Sequence, residues 1–398
     1  MAAYYQRLTV FSFTCLLILS LAACSTGGSG GNNGGSSSTP TTGTVSSPTT
    51  TVSATPQIEL GAQPCPDAVK DPAHWDPIVG TQSGVSKVGC VTCGHFIGQP
   101  TLQALILVGY QSTGNIVDVY VYNHITDPSP TQLFKLQNLY KGDARISHYN
   151  TVITAEVDQN SSVNKNQPNA ALQLDLFREF QWSDSAGTLV PVSFPGIFPD
   201  LTRYQAEADQ DQVNAGHQPW KLSATMTAQA LAANQNLLKW PPNSPATIVS
   251  GGGQHDLDAV VSLKSTYPVS STITVSMSRL EGNSNGGIWE VTSVTTAGMS
   301  ITTPQSRTRL SSPVSVQGTG PAFEGVIGPV IVLDHLYTNI GQAQAHGAIG
   351  NGNTTFSTSV SYTSSFKSGI QEGILVLYTY SNANGSIAGA VLLKEMLS

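Results

Sequence analysis

The sequence predicts a mainly β protein in three parts: an N-terminal β-meander region, a middle α+β region with a helix laid on an antiparallel sheet, and a C-terminal β-sandwich. Three observations carry that expectation. Short runs of β-branched and aromatic residues recur along most of the chain between Gly, Pro, Asn and Asp turns. A sustained apolar stripe at helical spacing runs through only one stretch, residues 223–240. Only 10% of the 398 residues are charged, against about a quarter in an average soluble protein, as in exported β-rich chains. The formal net charge is -7 and Lys and Arg are scattered singly, so the electrostatic footprint of a nucleic-acid binder is missing.

Residues 1–23 read as an export signal, with one charge at Arg7, an apolar run from Leu8 to Leu19 and small residues beyond it. That run is shorter than the ~20 apolar residues of a membrane span. Its ending, Leu21-Ala22-Ala23-Cys24, resembles the lipobox of bacterial lipoproteins. The resemblance implies cleavage before Cys24, a diacylglycerol on its thiol, and a mature protein anchored in the cell membrane on the extracytoplasmic face. Residues 24–56 follow as a tether. From Ser25 to Pro56 the chain is Gly, Ser, Thr, Asn and Pro with almost no apolar residue, too little to offset the entropy of ordering. Its typical reach is on the order of 30 Å.

Of the five cysteines, Cys15 leaves with the signal and Cys24 carries lipid, so Cys65, Cys90 and Cys93 remain. Outside the membrane a disulfide is the default, and Cys65 bonded to Cys90 or to Cys93 is the expected bridge. The Cys90-Val91-Thr92-Cys93 spacing also fits a thiol-redox pair, but such a pair belongs at a helix start, and strand-like Val85–Val91 precedes this one. No second CxxC pair supports zinc, and His95 stands two positions after Cys93, which spoils a haem-attachment motif.

Residues 57–197 form the first folded region. TLQALILVGY (101–110), NIVDVYVY (115–122) and YNTVITAEV (149–157) read as strands, and DLFREFQW (175–182) with Leu189-Val190-Pro191-Val192 reads as a hairpin. Their order is similar to β-meander units of other bacterial exported lipoproteins. Residues 198–305 form a helical connector and an α+β region. Thr202-Arg203-Tyr204-Gln205 matches a capping box and Asn214-Ala215-Gly216 a stop, so a short polar helix is expected between them. Its acids Asp200, Glu207, Asp209 and Asp211 lack the spacing of a calcium loop and read as a solvated face. A second helix is expected over Ser223–Trp240, with Leu222, Met226, Ala230, Ala233, Leu237 and Trp240 as its apolar stripe and Pro241-Pro242 as its end. Strands follow at Ala246–Val249, Ala259–Leu263, Ile273–Leu280 and Ile288–Val294. A helix on an antiparallel sheet that finishes in Trp-Glu-Val resembles cystatin-like or NTF2-like domains of exported proteins. Gly282-Asn283-Ser284-Asn285-Gly286 fits G-x-S-x-G, but it joins two strands, and its Gly and Asn are what a hairpin turn demands.

Residues 306–398 carry a more specific likeness. Ser312-Pro313-Val314-Ser315-Val316-Gln317-Gly318 is followed by Ala322-Phe323-Glu324-Gly325, a strand over Val330–Asp334, Thr355–Tyr362, Gly373–Tyr378 and a closing strand over Ala390–Lys394. This order resembles the Gmad2 family, immunoglobulin-like domains first noted in spore-germination proteins and common on bacterial lipoproteins. Two departures are Asp334-His335-Leu336-Tyr337, where the family turns through Gly, and an insertion over Ile340–Asn353.

The sequence offers no catalytic constellation. Its eight histidines are scattered, none paired at the i, i+4 spacing of a zincin. His255-Asp256-Leu257-Asp258 reads as a polar loop, and Asp334 and His335 could pair but lack a placed nucleophile. Tyr337, Tyr362, Tyr378 and Tyr380 could stack on sugars or serve as half-buried sheet packing. The expected function is that of a lipid-anchored, non-enzymatic envelope protein with a binding or structural role. No cofactor, metal or nucleic acid is expected; the partners would be the membrane and a cell-wall or envelope protein or polysaccharide. The alternatives are an envelope enzyme or redox protein acting through Cys90 and Cys93, and a sporulation or germination accessory protein.

Overall fold

Turn chemistry and period-2 apolar runs divide the chain into twenty short strands and three α-helices in the computed structural model, which describes residues 58–111, 115–266, 270–282, 286–349, 352–366 and 369–398. The protein is mainly β, with several antiparallel sheets. The expected signal, Cys24 and the expected tether lie outside the described residues.

The first helix, α1 (Pro72–Val79), corrects the all-strand reading of its region. Asp71 caps it by accepting from the Ala73 N–H, and Gly80 ends it in the left-handed conformation. Eight residues are too few to display a helical apolar period, so its only signals were Asp-Pro at the start and Gly at the end. Its Trp75 is fully buried against the sheet β1 (Ser86–Gly94), β2 (Gln103–Tyr110), β3 (Ile116–Asn123) and β4 (Thr131–Tyr140), paired in that order. A second meander, β5 (Asp143–Ile146), β6 (Val152–Glu156), β7 (Leu176–Ser183) and β8 (Thr188–Val192), packs on the other side. Leu105, Val119, Val121 and Phe134 of the first sheet meet Ile146, Val152, Phe180 and Leu189 of the second in one core.

Two helices follow. In α2 (Arg203–Asn214) Thr202 caps the Gln205 N–H as expected, but its hydroxyl also donates to the Gln205 side chain. The solvated-face reading of the acids here is corrected: Asp200 and Glu207 are buried, and Asp209 pairs with the buried Lys221. Helix α3 (Ala224–Ala233) stops seven residues before Trp240, because the Asn234 side chain accepts from the Asn236 and Leu237 N–H groups and turns the chain. Its buried face is Ala224, Thr227, Ala228, Leu231 and Ala232, while Met226 of the expected stripe is half exposed. Small alanines let the helix approach the sheet closely.

The remaining strands are β9 (Ala246–Gly251), β10 (Asp258–Ser265), β11 (Ser271–Ser278), β12 (Glu290–Thr295), β13 (Ser300–Thr303), β14 (Arg309–Leu310), β15 (Val314–Ala322), β16 (Val326–Leu333), β17 (Asn339–His346), β18 (Gly352–Val360), β19 (Gln371–Tyr380) and β20 (Ile387–Leu397). The sheet runs β17-β16-β19-β20-β12-β11-β10-β9, with β14 parallel to β20, and crosses residue 305 where Val294 pairs with Leu392. A smaller sheet is ordered β13-β15-β18. The segment expected as a Gly- and Ala-rich insertion supplies β17, an edge strand. Central strands are buried on both faces, which explains their continuous apolar runs. Val330, Val332, Leu375 and Leu377 face Val316, Phe356 and Val360 of the smaller sheet, while Ile331, Leu333, Ile374, Val376 and Tyr378 face the side that α3 covers.

Buried charges fasten this sheet. Lys394 of β20 donates to the carbonyls of Gly196 and Leu201 and lies 3.4 Å from Glu372 of β19, which accepts from Ser193 and from the Phe194 N–H. Glu395 is equally buried: Oε2 accepts from the Thr308 N–H, Oε1 has no partner, and burial pushes its carboxyl up to about 8. Between the unfolded value of ~4.3 and about 8 the folded chain therefore holds a proton that the unfolded chain releases. Stability on this account falls as pH rises through that window, by up to about 1.4 kcal/mol per pH unit. Burial raises Glu372, Asp200 and Glu290 in the same direction. Thermal unfolding should show Glu395→Gln exceeding wild type by more at pH 8 than at pH 5; the same difference at both would refute the assignment.

Candidate functional site

A cleft of about 520 Å³ opens where the turn after α3, the β16–β17 turn and the β19–β20 turn meet at one side of the large sheet. Its floor is aromatic and fixed. Tyr378 donates its hydroxyl to the Leu237 carbonyl at 2.9 Å, Trp240 donates its indole N–H to the Ile387 carbonyl at 3.0 Å, and Tyr337 donates to the Ile197 carbonyl at 2.8 Å. These bonds tie the loops to the sheet, and burial raises the Tyr337 and Tyr378 phenols, which keeps them neutral donors. Tyr380 stands at the rim, 43% exposed, its ring centroid 6.2 Å from that of Tyr378.

The rim is polar and almost uncharged. Gln235, Asn236, Asn339 and Gln342 are exposed amides, Ser386 is half exposed, and Lys239 is the single charge. Asn339 donates to Gln342 at 2.9 Å, so two of these amides are pre-set against each other. Among the described residues no carboxylate, imidazole or thiol lines the cleft, whose walls offer aromatic faces and hydrogen-bonding groups.

The structure places the sequence-selected residues as follows. Tyr337, Tyr378 and Tyr380 converge on the cleft, whereas Tyr362 is buried in the other core with its hydroxyl on the Leu310 carbonyl. Cys65 and Cys93 form the disulfide, with Cα atoms 5.1 Å apart, which resolves the two pairings the sequence allowed. Cys90 lies outside that bridge, its sulfur 3.8 Å from the Thr92 hydroxyl on β1. Cys90 and Cys93 thus sit on a strand, without the helix start that lowers a redox thiol pKa. Asp334 does not pair with His335: it closes its own turn by accepting from the Leu336 and Thr338 N–H groups, and His335 faces Asp175 at 4.0 Å in the interior. Asp256 caps the Gly253 N–H in an exposed loop, and Ser284 of G-x-S-x-G lies outside the described residues.

The cleft was missed from sequence because its walls come from three segments that only folding joins. Its amides carry no pattern of their own, and three of the four tyrosines were the one usable signal. Compared with protein-family models and with curated protein sequences, the chain matches none. Among the described residues no helix is long and apolar enough to cross a membrane.

Proposed function

We propose that this is a lipid-anchored, non-enzymatic envelope protein whose cleft holds an uncharged, polyhydroxylated ligand of the wall-polysaccharide class. The observation that carries the reading is the cleft lining: a fixed aromatic floor, an amide rim and no acid, imidazole or thiol. Sugars present apolar ring faces and many hydroxyls, and such a wall matches both. The lipobox and the 24–56 tether would hold the folded part at the membrane with reach into the wall layer.

Three modules make up the folded part on this reading. Residues 57–197 are the β-meander module, 198–305 the cystatin- or NTF2-like module, and 306–398 the Gmad2-like immunoglobulin sandwich. Support for the last is the packing of β15 and β18 over β16, β19 and β20, although β13 and β12 join the two sheets from before residue 306. The redox alternative is the weaker one, because a Cys90–Cys93 cycle would first have to break the Cys65–Cys93 bond.

Tyr380 provides the test, since its exposed ring can be removed without opening the core. Titrating soluble wall-glycan fragments should show Tyr380→Ala binding at least ~10-fold more weakly than wild type, the loss of one aromatic contact in a recognition site. The melting temperature should stay unchanged. Equal affinity in the two proteins would remove the cleft from the proposal.

A further inference from the structure

Three side chains from distant parts of the chain converge where the β5–β6 turn, α2 and the segment after β11 meet, away from the cleft. His148 Nδ1 lies 3.9 Å from Glu207 Oε1 and 4.0 Å from Glu281 Oε2, and the three atoms are all within 4.8 Å of one another. Glu207 and Glu281 are buried, while the His148 side chain is 61% exposed and gives the group an open side. Neighbouring bonds fix the arrangement. The His148 N–H donates to Glu207 Oε1 at 2.7 Å, and the Tyr149 hydroxyl donates to the Leu280 carbonyl at 2.7 Å beside Glu281.

Carboxylates beside arginines often form a closed ion-pair network, and this one does not close. Arg203 donates to Glu179 and to Glu281 Oε1, and Arg145 lies 3.9 Å from Glu207 Oε2. Three acids face two guanidiniums here, so one of them has no arginine of its own in a buried place. Glu281 Oε2 is fully buried, lies 4.0 Å from His148 Nδ1 and has no hydrogen-bond partner. A buried carboxyl oxygen without a partner is costly, and a cation at this point would satisfy it.

The geometry points to a binding site for a divalent transition metal of the zinc class, held by His148 Nδ1, Glu207 Oε1 and Glu281 Oε2, with further coordination from solvent on the exposed side. An imidazole with two carboxylates suits zinc and its neighbours, whereas calcium and magnesium take all-oxygen shells. Bonds of about 2.1 Å put tetrahedral ligands ~3.4 Å apart, so the two contacts to His148, at 3.9 and 4.0 Å, have to shorten by roughly half an ångström. The exposed His148 side chain has the freedom to do so. The His148 N–H on Glu207 and Arg203 on Glu281 would orient both carboxylates from outside. A bound ion would cross-link the β5–β6 turn, α2 and the segment after β11. This inference is independent of the cleft and adds a metal that the sequence reading did not expect, because no local spacing marks ligands that folding alone brings together.

Titration of the full chain, kept in detergent and stripped with chelator, with zinc chloride tests it. The expected result is saturable binding of one ion per chain at micromolar or tighter Kd, a higher melting temperature with zinc, and no saturable binding of magnesium chloride. His148→Ala should weaken zinc binding at least ~10-fold without changing the metal-free melting temperature, since the side chain is exposed. Glu281→Gln, which keeps an acceptor for Arg203, should weaken it similarly. Zinc binding weaker than about 100 μM in wild type, or His148→Ala binding zinc as well as wild type does, would overturn the assignment.

Discussion

Lys394→Ala should destabilise the folded unit by about 3–5 kcal/mol, the loss expected when one partner of a buried ion pair is removed. The ammonium is fully buried and meets three acceptors, the Glu372 carboxylate and the carbonyls of Gly196 and Leu201. Removing it orphans both carbonyls and leaves Glu372 to take up a proton or remain an uncompensated charge. Lys394→Met, which keeps most of the volume, should be nearly as damaging, because the lost ammonium dominates over the lost bulk. Lys394→Met combined with Glu372→Leu should recover only part of the loss, since the Phe194 N–H then lacks its acceptor as well. Urea unfolding of the four proteins measures this. A cost under about 1 kcal/mol for Lys394→Ala, the size of an exposed ion pair, would contradict the buried fastening.

On the proposed lipid anchoring, Cys24→Ser should move the protein from the membrane fraction to the soluble or unprocessed fraction. Each buried methylene contributes about 0.8 kcal/mol, so two acyl chains exceed any affinity that an acidic, charge-poor chain has for anionic lipid. The folded residues should melt at the wild-type temperature, because Cys24 precedes residues 25–56, which have no apolar run to bury. Detergent phase partitioning reads the outcome. Wild type entering the aqueous phase, or the two proteins partitioning alike, would remove the anchor from the account.

Local chemistry wrote most of the strands and left the site unwritten. Gln103–Tyr110, Ile116–Asn123, Leu176–Ser183 and Gln371–Tyr380 fall where β-branched and aromatic runs stand between turn residues, and Thr202 starts α2 as its capping pattern requires. Helix α3 shows where that legibility stops. Apolar residues continue at helical spacing to Trp240, but the Asn234 side chain offers the backbone another partner and ends the helix, after which Trp240 reaches the sheet at Ile387. Long-range pairing was equally silent. Nothing near Val294 or Leu392 announces that they sit side by side, and the Lys394 contacts to Gly196 and Leu201 span almost two hundred residues. Buried acids were misjudged for the same reason: Glu207 and Asp200 look like solvated helix-end charges until Arg145 and Lys221 arrive from elsewhere in the chain.

On the proposed function the cleft binds a wall-type glycan and does no chemistry on it. Incubating the full chain with soluble wall-glycan fragments, then recovering bound and unbound material for mass analysis, tests both halves at once. The expected result is saturable retention of fragments that come back with unchanged masses, and loss of that retention in Tyr380→Ala. Fragments shortened or otherwise altered by wild type, or no retention at all, would contradict it.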